Sequence, residues 1–246
     1  MLAFFYLNIF ILNNVTNMSS KPHTDSVYVP KRKPKNPINF QINLNEEQKA
    51  AKAKILENVI TILTGGAGSG KTLLACQIAL DLLFNREIEK IIIARPVITS
   101  GEELGFLPGD IKEKMDPFVA PIYENMHRLY SKEKIEKCIQ DGLIEIIPFA
   151  FMRGRNISNA FVIIDEAQNV TDRQMELVIT RLCQGSKMVI VGDVQQTDLK
   201  DRKMSGLYFL NKAVAGHIPG TASVHLKVNH RHEIVEPILQ IYKEHL

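Results

Sequence analysis

Three short segments bring together glycines, a lysine, hydroxyls and carboxylates at spacings that suit one kind of chemistry. The first is Gly65-Gly66-Ala67-Gly68-Ser69-Gly70-Lys71-Thr72. Its glycines let the backbone wrap tightly with its N–H groups pointing inward, a cradle for phosphate oxygens. A helix beginning at Lys71 adds its positive end to the attraction. In this pattern Lys71 reaches the β- and γ-phosphates of a nucleoside triphosphate, and the Thr72 hydroxyl ligates Mg2+. The second segment is Phe161-Val162-Ile163-Ile164-Asp165-Glu166, an apolar run ending in two acids. A hard cation is held by one or two carboxylates plus phosphates, which suits Asp165. Glu166 beside it is placed to orient or deprotonate an attacking water. The third is Gly192-Asp193-Val194-Gln195-Gln196. A glutamine there can contact both the γ-phosphate and the water, making Gln196 a candidate sensor.

Four further positions carry weaker signals. Gln48, ahead of the first strand, either reads an adenine edge or is a solvated helix residue. Arg153 and Arg155, flanking Gly154, are phosphate or nucleic-acid ligands or ordinary surface arginines. Arg231, in Asn229-His230-Arg231-His232, is a candidate for stabilising transition-state charge. His230 and His232 could suggest a metal, but no cysteine or acid stands at ligand spacing.

These residues need a scaffold, and the hydrophobic pattern supplies one. Val59–Leu63, Ile91–Ala94, Ile144–Ile147, Phe161–Ile164 and Met188–Val191 are short β-branched runs, with Val224–Lys227 as a last strand. Continuous rather than alternating runs suit a parallel sheet covered on both faces. Lys71–Phe84 reads as a helix with Leu74, Ile78 and Leu82 on one face. Thr171 to Gln174 fits a capping box, Met175, Val178, Ile179 and Leu182 form the apolar stripe behind it, and Gly185 closes that helix. Asp116-Pro117 is expected to cap another helix, kinked at Pro121. The fold expected is α/β, with one central parallel sheet and a single domain over residues 44–246.

Residues 1–43 read differently. Leu2–Leu12 is strongly apolar but shorter than the ~20 residues that span a bilayer. It also lacks the basic start and small-residue cleavage site of a secretory signal. Met18 opens a polar segment and is the expected translation start, leaving residues 1–17 untranslated. From 19 to 43, four prolines and the cations Lys31, Arg32, Lys33 and Lys35 make a basic, flexible arm. The net charge of +3 is compatible with a polyanionic partner without requiring one. Cys76, Cys138 and Cys183 lack CxxC spacing, which argues against a disulfide framework and for a reducing, cytoplasmic setting. Cys76 and Cys183 are expected to be core thiols.

Beyond the phosphate loop, the chain resembles the PhoH family of ATPases. The resemblance rests on Arg95-Pro96, the segment Gly101 to Asp110, Lys114 to Pro117, Phe151 to Arg155, Asp165 to Asn169 and Gly185 to Met188. That family is similar in turn to the first RecA-like domain of superfamily 1 helicases. The resemblance implies a RecA-like P-loop NTPase that binds ATP and Mg2+ and couples hydrolysis to single-stranded RNA or DNA. It also makes Arg95 a nucleic-acid-side candidate. With one RecA-like domain and no second to close on it, strand movement would require a homo-oligomer, such as a hexameric ring, with an arginine supplied in trans by Arg153, Arg155 or Arg231. Two alternatives stand beside this: a non-hydrolysing ATP-loaded switch or scaffold, and a P-loop kinase of a small substrate. Against the kinase, no arginine-rich lid segment is apparent and Glu166 suits water activation.

Overall fold

In the computed structural model, residues 43–96 and 111–235 are described, together with 237, 238, 240 and 241. The expected untranslated start, the expected arm up to residue 42 and the segment from 101 to 110 lie outside the described residues. The elements run α1 (Glu46–Glu57), β1 (Ile60–Gly65), α2 (Lys71–Phe84), β2 (Lys90–Arg95), α3 (Ile111–Leu129), α4 (Lys132–Gln140), β3 (Ile144–Pro148), β4 (Ala160–Ile164), α5 (Asp172–Ile179), β5 (Lys187–Gly192), α6 (Gly206–Ala213) and β6 (Thr221–Leu226). Six parallel strands form one sheet in the order β3-β2-β4-β5-β1-β6. This is the α/β, RecA-like arrangement: β5 lies between the phosphate-loop strand β1 and the acid-bearing strand β4.

The continuous apolar runs have a simple cause. Successive strand residues face opposite sides, and both sides are covered. Leu63, Ile91, Ile93, Ile163 and Val191 point to one core, shared with α1, α2, α3 and α4. Ile62, Ile92, Val162, Ile164 and Ile190 point to the other, shared with α5 and α6. Every residue of β4 is buried. Helix α2 follows the same logic, since Leu74, Ala75, Cys76, Ile78, Ala79 and Leu80 are all 1% exposed or less. It is an enclosed helix rather than an amphipathic one, so its face of Leu74, Ile78 and Leu82 is only part of what it buries.

Several local expectations change. The Thr171–Gln174 capping box is present on both sides, but α5 stops at Ile179, capped by Thr180. Leu182 lies outside it, in a bridge to Ile157, and Gly185 turns a later loop (φ 75°). Cys183 is exposed, unlike Cys76 and Cys138. Helix α3 starts at Ile111 and runs through Asp116-Pro117 and Pro121, so that pair does not cap it. The last strand begins at Thr221; as an edge strand it alternates exposed Ser223 and His225 with buried Ala222 and Leu226, which shortens the apolar run visible in sequence.

One tight contact joins α5 to α6. A Cβ at Gly206 would lie 2.6 Å from Met175 Cβ and 3.0 Å from the Thr171 carbonyl oxygen. Gly206→Ala should therefore destabilise the protein by about 1–3 kcal/mol despite alanine's better helix propensity. A lower urea midpoint with unchanged slope would register it; an unchanged midpoint would mean that α6 shifts freely.

Candidate nucleotide site

Register decides where the chemistry gathers. Thr64 pairs with Gly192, and Ile164 pairs with Ile190 and Ala94, so the turns after β1, β4, β5 and β2 leave the sheet at nearly one level. Ligands of open parallel sheets collect at such carboxyl ends. A cleft of about 790 Å³ opens here, within the size range of small-molecule sites. Ala67, Gly68, Gly70, Lys71, Thr72, Asp165, Glu166, Gly192, Asp193 and Gln196 line it.

The loop from Gly65 to Gly70 closes into a cradle. Gly68 and Gly70 take left-handed conformations (φ 83° and 80°), and Gly70 caps α2 with no side chain of its own. Ser69, 2% exposed, donates to the Gly66 carbonyl at 2.9 Å. The Lys71 ammonium donates to the carbonyls of Gly65 (2.7 Å) and Gly66 (2.8 Å), which lays it along the cradle. Burial holds its pKa below the ordinary lysine value, against the opposing pull of Asp193, Glu166 and Asp165.

Opposite stands the acidic pair. The Thr72 hydroxyl donates to Asp165 Oδ1 at 2.8 Å, joining the start of α2 to the end of β4. Asp165 is 4% exposed. Burial, reinforced by the neighbouring Glu166, pushes its pKa above the ordinary carboxylate value, while Thr72 and Arg95 pull it back. A buried carboxylate touching a hydroxyl at a phosphate cradle fits Mg2+: these oxygens are hard donors, and a cation would relieve the unfavourable charge.

Glu166 occupies a left-handed backbone conformation (φ 52°, ψ 37°), rare for a residue with a side chain. Both of its carboxylate oxygens accept hydrogen bonds: Oε2 from Gln168 Nε2 at 2.6 Å and Oε1 from Arg95 at 3.3 Å. Gln168 has no role in the motif reading. It is 3% exposed, and its Oε1 accepts from the Asp193 N–H at 3.1 Å. It thus ties the turn after β4 to the turn after β5. A Cβ at Gly192 would sit 2.5 Å from that Oε1, so this close approach needs glycine. The signal was present as the fourth residue of Asp-Glu-Ala-Gln, but its contact depends on β5 lying beside β4.

The chain beyond β6 crosses the phosphate loop. Glu47 accepts from the N–H groups of Lys227 (2.8 Å) and Val228 (3.2 Å), and the His230 N–H donates to the Gly68 carbonyl at 3.0 Å. This places Arg231 at the cleft, where its Cγ would be 2.6 Å from a Cβ on Gly68. Gln48 lines the cleft too; its Oε1 accepts from the Asn45 N–H in the α1 capping box and its Nε2 faces His230 at 3.4 Å. Gln196 stands exposed at the cleft wall. Asn125 and Arg128 of α3 also line it, without any motif to announce them. Arg153 and Arg155 do not line the cleft. Arg155 pairs with Glu145 of β3, while Arg153 is exposed. Arg95 is turned inward to Glu166 and the Phe118 carbonyl.

The sequence profile described as "PhoH-like protein" matches residues 42–243. This chain belongs to the PhoH-like family. It is 42% identical over 191 residues to a PhoH-like protein of Synechocystis sp., covering 77% of this chain and 58% of that protein. It is 40% identical over 237 residues to one from Bacillus subtilis, covering 89% and 74%. Protein PhoH of Escherichia coli K12 is 41% identical over 165 residues, with 66% and 47% covered. The chain thus spans about half to three quarters of the length of these relatives. Among solved structures it is similar to the UvsW helicase from bacteriophage T4 (18% identity, TM-score 0.49, covering 77% of this chain and 62% of that one). It is also similar to the Pif1 helicase from Candida albicans (18% identity, TM-score 0.43, covering 82% and 44%). Among the described residues, no helix is long and apolar enough to cross a membrane.

The raised Asp165 pKa has a measurable consequence. Below the ordinary carboxylate value the side chain is protonated whether folded or unfolded, and its burial carries no charge penalty. As pH climbs from the ordinary value through the raised folded value, the unfolded chain ionises more readily than the buried carboxyl, so stability falls and then levels off. Asp165→Asn should therefore raise the melting temperature of the ligand-free protein at pH 7–8, by about 2–4 °C per kcal/mol recovered. The gain should shrink as pH falls through the folded pKa. Mg2+-dependent stabilisation by nucleotide should disappear in the same variant. A melting temperature lowered at every pH would show that the carboxylate is stabilising without a cation.

Proposed function

We propose that this chain is a Mg2+-dependent ATP hydrolase whose turnover is coupled to a single-stranded nucleic acid, RNA before DNA. The observation that carries the hydrolytic part is the meeting of Thr72, Asp165, Glu166 and Lys71 around one cleft. The cradle N–H groups and the Lys71 ammonium bind the β- and γ-phosphates. Thr72 and Asp165 would hold Mg2+, which when bound neutralises phosphate charge. Glu166 takes the proton of the attacking water, and Gln168 fixes the direction in which its carboxylate faces. Arg231, beside Gly68, offsets charge that develops on the phosphoryl oxygens. Gln48, Asn125 and Arg128 are left for the nucleoside end.

The nucleic-acid part draws on the resemblance to helicase-type ATPases. Assembly into a cytoplasmic homo-oligomeric ring belongs to the same proposal. In such a ring Arg153, exposed and away from its own cleft, is the arginine to test in a neighbour's site, since Arg231 already serves its own and Arg155 is paired.

Phosphate release measured with and without single-stranded RNA tests the whole reading. Lys71→Ala should abolish turnover. Glu166→Gln should lower kcat by about 10²–10⁴ while ATP binding survives, the usual loss when a catalytic base is removed. ATP binding without turnover in the native chain would turn the assignment to a nucleotide switch; turnover indifferent to RNA and to single-stranded DNA would remove the coupling.

A further inference from the structure

Glu166 is held by two donors of unequal quality. Gln168 is buried and its bond is short, 2.6 Å. Arg95 stands at 3.3 Å, well beyond the ~2.7–2.9 Å of a strong charge-assisted hydrogen bond. The Arg95 side chain retains 21% of its exposure and Glu166 retains 42%. Ion pairs that remain this open to water contribute little, so a competing anion can displace one partner at small cost. The second tie of Arg95, to the Phe118 carbonyl at 3.2 Å, goes to an uncharged acceptor and leaves the guanidinium charge available. Arg95 also occupies the end of β2, at the same sheet edge as the cleft, directly beside the turn after β4.

With Oε2 given to Gln168 and Oε1 to Arg95, both oxygens of the proposed base face protein donors. We propose that Arg95 is a positioning residue that restrains Glu166 until a phosphodiester oxygen takes over its guanidinium. A phosphodiester suits this exchange because guanidinium binds phosphate oxygens in a two-pronged geometry that a single contact to Oε1 does not use. The release step rests on the nucleic-acid reading above. The restraint itself rests only on the contact between Arg95 and Glu166.

The two parts separate in one experiment. ATP turnover is measured for the native chain, Arg95→Ala and Arg95→Lys, each alone and with an oligouridylate. Without RNA, Arg95→Ala should raise kcat on the order of 5-fold or more, the lower range for coupled sites, with KM for ATP unchanged. Added RNA should then accelerate it little further, and Arg95→Lys should fall between the two proteins. A kcat at or below the native value in RNA-free Arg95→Ala, with a native melting temperature, overturns the restraint whatever RNA does. Retained stimulation by RNA in a faster Arg95→Ala overturns release through this guanidinium. Native protein that hydrolyses ATP but ignores RNA counts against the coupling, while the RNA-free rates still decide the restraint.

Discussion

The hydroxyl-to-carboxylate contact between Thr72 and Asp165 is the point on which the site turns. It joins the first residues of α2 to the turn just after β4, across an intervening strand, and it keeps an acid where water is nearly excluded. Burial disfavours the charged form, and the adjacent Glu166 adds to the cost. The sheet beneath offsets this: β1, β4 and β5 bury nearly every residue, most of them apolar. The fold therefore keeps a carboxyl where its charged form is disfavoured, with only Thr72 and Arg95 pulling the other way, and under the proposed function a cation is what would offset that charge. Strain at Glu166 belongs to the same account, because a left-handed glutamate persists only where its surroundings over-determine it.

Much of this was legible beforehand because the responsible physics is local. The glycine spacing of the phosphate loop, the β-branched strand runs and the Thr171 capping box each depend on neighbours within a few residues. The boundaries of α2 fall at Lys71 and Phe84 as its pattern requires. The errors fall where tertiary contacts override such signals. Leu182 continues a helical spacing, yet its backbone is claimed by Ile157 instead. Cys183 goes with it to the surface.

The site shows the same division. Lys71, Thr72, Asp165 and Glu166 are announced by motif, whereas Gln168 acquires its meaning only from the strand order that sets Asp193 beside it. Arg128 and Asn125 reach the cleft from a helix whose placement no spacing encodes. Arg95 was legible as an important position, but its inward partner was not, since an ion pair across adjacent strands leaves no local trace.

The strap formed by residues 227–231 has a consequence in time as well as in space. It meets Glu47, Gln48 and Gly68, joining parts of the chain separated by up to 182 positions. Contacts of such separation form late, after most of the loop-closure entropy has been met. During synthesis the cradle emerges early and the acidic pair follows, but the wall carrying Arg231 arrives only when almost the whole domain has left the ribosome. The cleft is thus complete only once this strap has folded back across the phosphate loop.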